Sequence, residues 1–143
     1  MKINIKRIDP TLPMPEYQTD GSAAFDLYSR EDMTIKPHSI ARIPANLIVE
    51  TPPGYVLVVT LRSSSPKRKN FNHPGGIGVV DSDYRGPEDE LLVQIYNFSD
   101  EHVQVEKGER IAQALFIEVP KVEFTENGLS SEQSRGGFGS TGS

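Results

Sequence analysis

Nowhere in this chain do apolar residues recur at helical spacing for three turns, and that absence constrains the fold more than any other feature. The apolar residues fall instead into short runs broken by turn formers. Ile3, Ile5 and Ile8 open a first predicted strand that Asp9-Pro10 ends. Further strands are predicted over 23–28, 33–35, 40–43, 47–50, 55–61, 77–80, 91–96, around Val103 and Val105, and over 111–119. Thr51-Pro52-Pro53-Gly54 reads as a turn between two of them. Tyr55 to Leu61 is apolar or β-branched almost throughout and predicts a strand buried on both faces. One helical turn over 64–69 is the most helix the pattern allows. Many short strands at such spacing describe an all-β sandwich or closed barrel.

The 12 Gly and 11 Pro of the 143 residues sit between those runs, as turns require. That length predicts one domain, residues 1–126, followed by a Gly/Ser-rich arm, 127–143, too poor in apolar residues to fold alone. Such an arm is expected to be flexible and to order on a ligand or partner. With no Cys there is neither a disulfide framework nor a thiolate metal site. A formal charge of −5 argues against a nucleic-acid partner bound by phosphate neutralisation, yet leaves room for a local cationic site for a nucleotide. The alternating N-terminus and the lack of a long apolar run predict no signal peptide and no membrane span, hence a soluble, cytoplasmic protein.

Two motifs are false leads. Gly137 to Gly142 spells GxGxxG, but only Ser143 follows, so the helix that a dinucleotide fingerprint needs is missing. Asp81 to Gly86 begins like a calcium loop, but Arg85 occupies a ligand position and Leu92 stands where the closing Glu belongs.

Five segments carry polar groups or glycines that suit chemistry better than packing. In 21–28, small residues surround Asp26 within an apolar stretch. Arg62-Ser63-Ser64 follows the most apolar strand, and its planar fork and hydroxyls match phosphate oxygens. In 75–86, Gly75, Gly76 and Gly78 free backbone groups to read a base edge, and Val80 leads into Asp81. That aspartate is expected to be partly desolvated, as suits a general base, and Tyr84 adds a flat face. Segment 108–113 contains Gln113, a lone amide among apolar residues. In 135–142, Arg135, Phe138, Gly139, Ser140 and Thr141 combine a cation, a ring and hydroxyls on a flexible backbone, the content of a lid over a nucleotide.

In this order and spacing the five segments resemble the five motifs of the homotrimeric dUTP diphosphatase (dUTPase) family, over almost the whole chain. The resemblance implies a jelly-roll-like distorted β-barrel, three subunits, and sites at the subunit interfaces. It implies hydrolysis of dUTP to dUMP and diphosphate. Asp81 would activate the water, Gln113 would lie near the attacked α-phosphate, and Asp26 would organise the water shell of a magnesium ion. That ion would be held by the phosphates, with no direct protein ligand. Arg62, Ser63 and Ser64 would contact phosphate, the glycine hairpin and Val80 would read uracil, and Tyr84 would pack on deoxyribose and exclude a 2′-hydroxyl. Phe138 would stack on the base while Arg135 reaches the terminal phosphate, with Gly139, Ser140 and Thr141 completing the arm.

The chain departs from the family in three places. Ser64-Ser65-Pro66 stands where many members have Gly-Leu-Ala, the segment 86–90 is longer and places extra acid near Asp81, and Arg135 directly precedes the glycine pair. A dCTP deaminase shares the implied fold and often the Arg-Ser-Ser triplet, but its catalytic Glu would stand where this chain has Gln94, three residues before Asn97. An amide cannot shuttle that proton. The other alternative is a nucleotide-binding protein that keeps the sheet without the chemistry.

Overall fold

The computed structural model describes residues 1–126. Eleven strands and one helical turn follow in chain order. They are β1 (Ile5–Arg7), β2 (Phe25–Tyr28), β3 (Met33–Ile35), β4 (Ile40–Pro44), β5 (Leu47–Val49) and β6 (Tyr55–Leu61). The helix α1 (Ser65–Lys69) precedes β7 (Phe71–Asn72), β8 (Gly78–Val80), β9 (Leu92–Asn97), β10 (Val103–Val105) and β11 (Arg110–Glu118). The fold is the all-β arrangement of many short strands that the turn spacing predicted, as the jelly-roll implied by the resemblance also requires. β7, a two-residue strand, is an addition that no sequence signal marked.

Every pairing is antiparallel. The largest ladder runs β2-β11-β6-β8, a second runs β4-β9-β7, and β1-β5 and β3-β10 form two smaller ones. Among the described residues these ladders do not join into one closed ring, so the closed barrel that the strand spacing also allowed is not formed. Alternation within the strands sends Leu27, Ile43, Leu57, Ile95 and Ala114 into one common core, each essentially inaccessible to solvent. Asn97 is fully buried, and its amide donates to the carbonyls of Ile35, Lys36 and Glu101, so it holds the end of β9 against two loops.

Strand β6 corrects one expectation. Leu57 and Val59 are buried, but Val56, Val58 and Thr60 remain half-exposed. The strand is covered by this chain on one face only. Beside Val58 on that outer face stand Val79 of β8 and Leu115 of β11, and beside Val56 stands Ile117. Val79 and Ile117 are 62% and 42% exposed. The largest sheet therefore carries an open apolar stripe.

Candidate active site

Two strands flanking β11 bring the first polar cluster together. Asp26 of β2 and Thr60 of β6 lie on either side of Gln113, in one row across three strands. A register shift follows Arg110, and Ile111 and Ala112 are both buried as a result. This bulge breaks the alternation, so Arg110 turns to the side of the sheet that carries Asp26. The Asp26 carboxylate, 6% exposed, is then clasped from two directions: Arg62 Nε lies 3.2 Å from Oδ1 and Arg110 Nη1 lies 3.1 Å from Oδ2. Arg110 Nη1 also donates to Gln18 Oε1 at 3.1 Å.

Burying a carboxylate is costly unless it is paired, and the two guanidinium groups supply the pairing. In return, Asp26 fixes the arginines. Both arginines line a recess of about 260 Å³ together with Ser64, Arg68, Lys69 and Glu109, the last paired with Lys69 at 2.9 Å. Its charge is positive on balance, which suits an anion. Ser64 is the N-cap of α1 and lines the recess, whereas Ser63 is exposed and does not. Pro66 fits in the first helical turn, where its missing N–H costs nothing, so Ser64-Ser65-Pro66 closes the turn after Arg62 by its own means.

The second cluster lies around β8. Among the described residues β8 is the last strand of its sheet, and one row of its backbone N–H and C=O groups has no strand partner there. That edge borders a cleft of about 400 Å³, within the range of small-ligand sites. Gly75, Gly78, Val80, Asp81 and Tyr84 line it. Gly78 has a packing reason to lack a side chain, since a Cβ there would come within 3.3 Å of Val59 Cβ. Gly76 shapes the turn rather than the wall: its φ is +83°, and its N–H donates to the His73 carbonyl at 3.0 Å. Asp81 is exposed in this chain, contrary to the desolvation expected from its two valine neighbours.

The clusters sit at opposite ends of β6. Val80 pairs with Leu57, which puts Asp81 beside Val56, whereas Arg62 follows the last residue of β6, Leu61. Asp81 and Val56 also share the lining of a neighbouring recess. Six residues of strand separate the two positions, roughly 20 Å at the usual rise. One chain therefore presents two half-sites rather than one assembled centre. Arg135, Phe138, Gly139, Ser140 and Thr141 lie outside the described residues.

Three further residues join the site without having been assigned a part beforehand. Arg110 shares Asp26 with Arg62, and the Gly-Glu-Arg turn signal before Ile111 gave no hint of the bulge that aims it. His73 is half-buried and lines the cleft; Gln94 lines it too. Among the described residues no three His, Cys, Asp or Glu side chains form a metal cage.

The pattern of the dUTPase family matches residues 11–142. The deoxyuridine 5'-triphosphate nucleotidohydrolase of Helicobacter pylori is 42% identical over 144 residues, covering 99% of this chain and 97% of that protein. A dUTPase from Streptococcus mutans has the same fold at a TM-score of 0.77 and 27% identity, over 84% of this chain and 98% of its own. The Staphylococcus bacteriophage 80alpha dUTPase, solved with dUPNHPP, gives a TM-score of 0.78 at 27% identity and covers 99% and 98% of the two chains. A match of that length, on a sheet that carries both an arginine-lined anion recess and a glycine-edged cleft, establishes that this chain belongs to the dUTPase family.

Proposed function

We propose that this chain hydrolyses dUTP to dUMP and diphosphate in the cytoplasm, at sites formed between copies of itself in a homotrimer. The observation that carries the reading is Asp81, a carboxylate at the mouth of a nucleoside-sized cleft whose wall is an unpaired strand edge. The edge of β8 offers donors and acceptors to a uracil ring, and Tyr84 stands where a sugar would pack. Asp81 takes a proton from a water, whose oxygen attacks the α-phosphorus as diphosphate leaves. Arg62, Arg110 and Ser64 bind the phosphates, and Gln113 lies beside them in the row that holds Asp26.

Both oxygens of Asp26 are already paired with arginines, and no three-residue cage exists among the described residues. A magnesium ion would be carried by the triphosphate and water, with Asp26 turning its remaining lone pairs toward that water shell, and it would supply charge neutralisation on the phosphates. The arm residues Arg135 and Phe138 would cover the nucleotide.

The half-sites also support the assembly: a separation near 20 Å cannot serve one α-phosphate, whereas a second copy seated on the open apolar stripe would bring its own cluster to the first copy's cleft. Gln94 speaks against deamination, because it lines the cleft with an amide that cannot carry a proton. Asp81→Asn keeps the shape and removes the base. It should bind dUTP and lose on the order of a thousandfold or more in kcat, measured as diphosphate release with magnesium present. Near-normal turnover would remove Asp81 from the chemistry, and an untouched dUTP pool with the unaltered protein would leave only a binding function.

A further inference from the structure

We infer that the Arg30–Glu90 ion pair positions the Tyr84 ring and thereby sets the preference for deoxyribose over ribose, a reading that rests on dUTP being the substrate. Residues 81–90 form the loop that carries Tyr84 from β8 toward β9. Its internal bonds fold it upon itself. Tyr84 N–H donates to the Asp81 carbonyl at 3.2 Å, Gly86 N–H to Asp89 Oδ2 at 2.6 Å, and Glu90 N–H to the Glu88 carbonyl at 2.9 Å. Such bonds give the loop a shape without fixing where that shape sits on the protein.

Glu90 supplies the fixed point. Its Oε1 accepts from Arg30 Nε and from the Asn46 backbone N–H, each at 2.8 Å, and its side chain is only 14% exposed. Both partners are themselves held. Arg30 N–H donates to the Pro44 carbonyl at 2.8 Å. Asn46 is buried, and its side chain exchanges two hydrogen bonds with the Asp9 backbone at 2.6 and 3.0 Å. From the other end of the same residue, the Glu90 carbonyl accepts the Tyr84 hydroxyl at 3.0 Å. One residue thus grips the protein body with its carboxylate and the ring with its carbonyl.

The consequence is chemical. A ring rejects a 2′-hydroxyl by occupying its space, and a ring free to swing away rejects nothing. Tyr84 is 38% exposed, and its hydroxyl bond to Glu90 ties the ring to the anchor behind it. Two of the acidic residues in this longer loop have partners of their own: Glu90 pairs with Arg30, and Asp89 accepts from the Gly86 N–H.

The test measures kcat/KM for dUTP and for UTP in the full-length protein, with thermal midpoints alongside. Glu90→Ala should lower the dUTP:UTP ratio by about ten- to hundredfold, the cost of a misplaced positioning group, mainly through KM. Glu90→Gln, which keeps an acceptor for Asn46 and Arg30, should recover part of that ratio. Tyr84→Phe keeps the ring and loses the hydroxyl bond, so it should lower the ratio too, and combining it with Glu90→Ala should add little. An unchanged ratio in Glu90→Ala and Tyr84→Phe, in an enzyme that still hydrolyses dUTP, overturns the inference. Should Glu90→Ala fail to fold, Arg30→Gln, which removes the other half of the pair, takes its place: an unchanged ratio there overturns the inference. If the unaltered protein leaves dUTP intact, the substrate reading fails first and this one falls with it.

Discussion

At the scale of single residues, the site depends on groups whose partners fix their protonation or direction. His73 shows this for the glycine turn before β8. Its Nδ1 accepts the Gly75 N–H at 3.2 Å, which is possible only while that nitrogen carries no proton. Burial lowers the imidazole pKa below its ordinary value, in the same sense. The neutral form therefore contributes stability to the hairpin above about pH 6.5, the ordinary value, and that contribution fades as pH falls through the lowered folded value. KM for dUTP should rise as the pH is taken from about 7 to 5, and His73→Gln should flatten that rise. Comparison with the variant separates the contribution of His73 from those of the other groups that line the cleft. Parallel KM profiles for the two proteins would show that His73 is a bystander.

At the scale of elements, most of the architecture was legible because strands and turns leave strong local marks. Strand β3 was read with its observed ends, and the ends of β5, β8, β9 and β11 were read to within one residue. The single helical turn fell where Pro66 and the basic run allow it. Burial was less legible. YVLVVTL cannot tell a face covered by its own chain from one left for another, and β6 is covered on one face only. The bulge that turns Arg110 toward Asp26 was hidden for a related reason: it arises from the pairing of β11 with β2, not from any signature residue. The covered face is the one on which stability depends. Leu57 is fully buried where β6 meets both β8 and β11, so Leu57→Ala should lower the unfolding free energy by about 2–5 kcal/mol in urea titrations. A cost under about 1 kcal/mol would mean that the core at β6 collapses to fill the gap, and that the sheet is less rigid than its packing implies.

At the scale of the whole molecule, the proposed reading must account for Asp81 and Arg62 lying at the two ends of one strand. In the proposed homotrimer the second half of each centre would arrive on a neighbour, and the apolar stripe of Val58, Val79, Leu115 and Ile117 would give that neighbour a surface to bury. This arrangement makes a sharp prediction for mixtures. Asp81→Asn and Arg62→Ala should each be nearly inactive when pure. Unfolded together in equal amounts and refolded, they should form mixed assemblies in which some sites draw an intact Asp81 from one copy and an intact Arg62 from another. Random association makes that about a quarter of all sites, so activity should return to about that fraction of the unaltered enzyme's. If both residues served a site within one copy, every site would lack one of them, and mixing would restore nothing. The same mixture prepared with Ile117→Glu in both partners should also stay inactive, because a charge on the stripe prevents the copies from meeting, and sedimentation should then report single chains of 15.8 kDa.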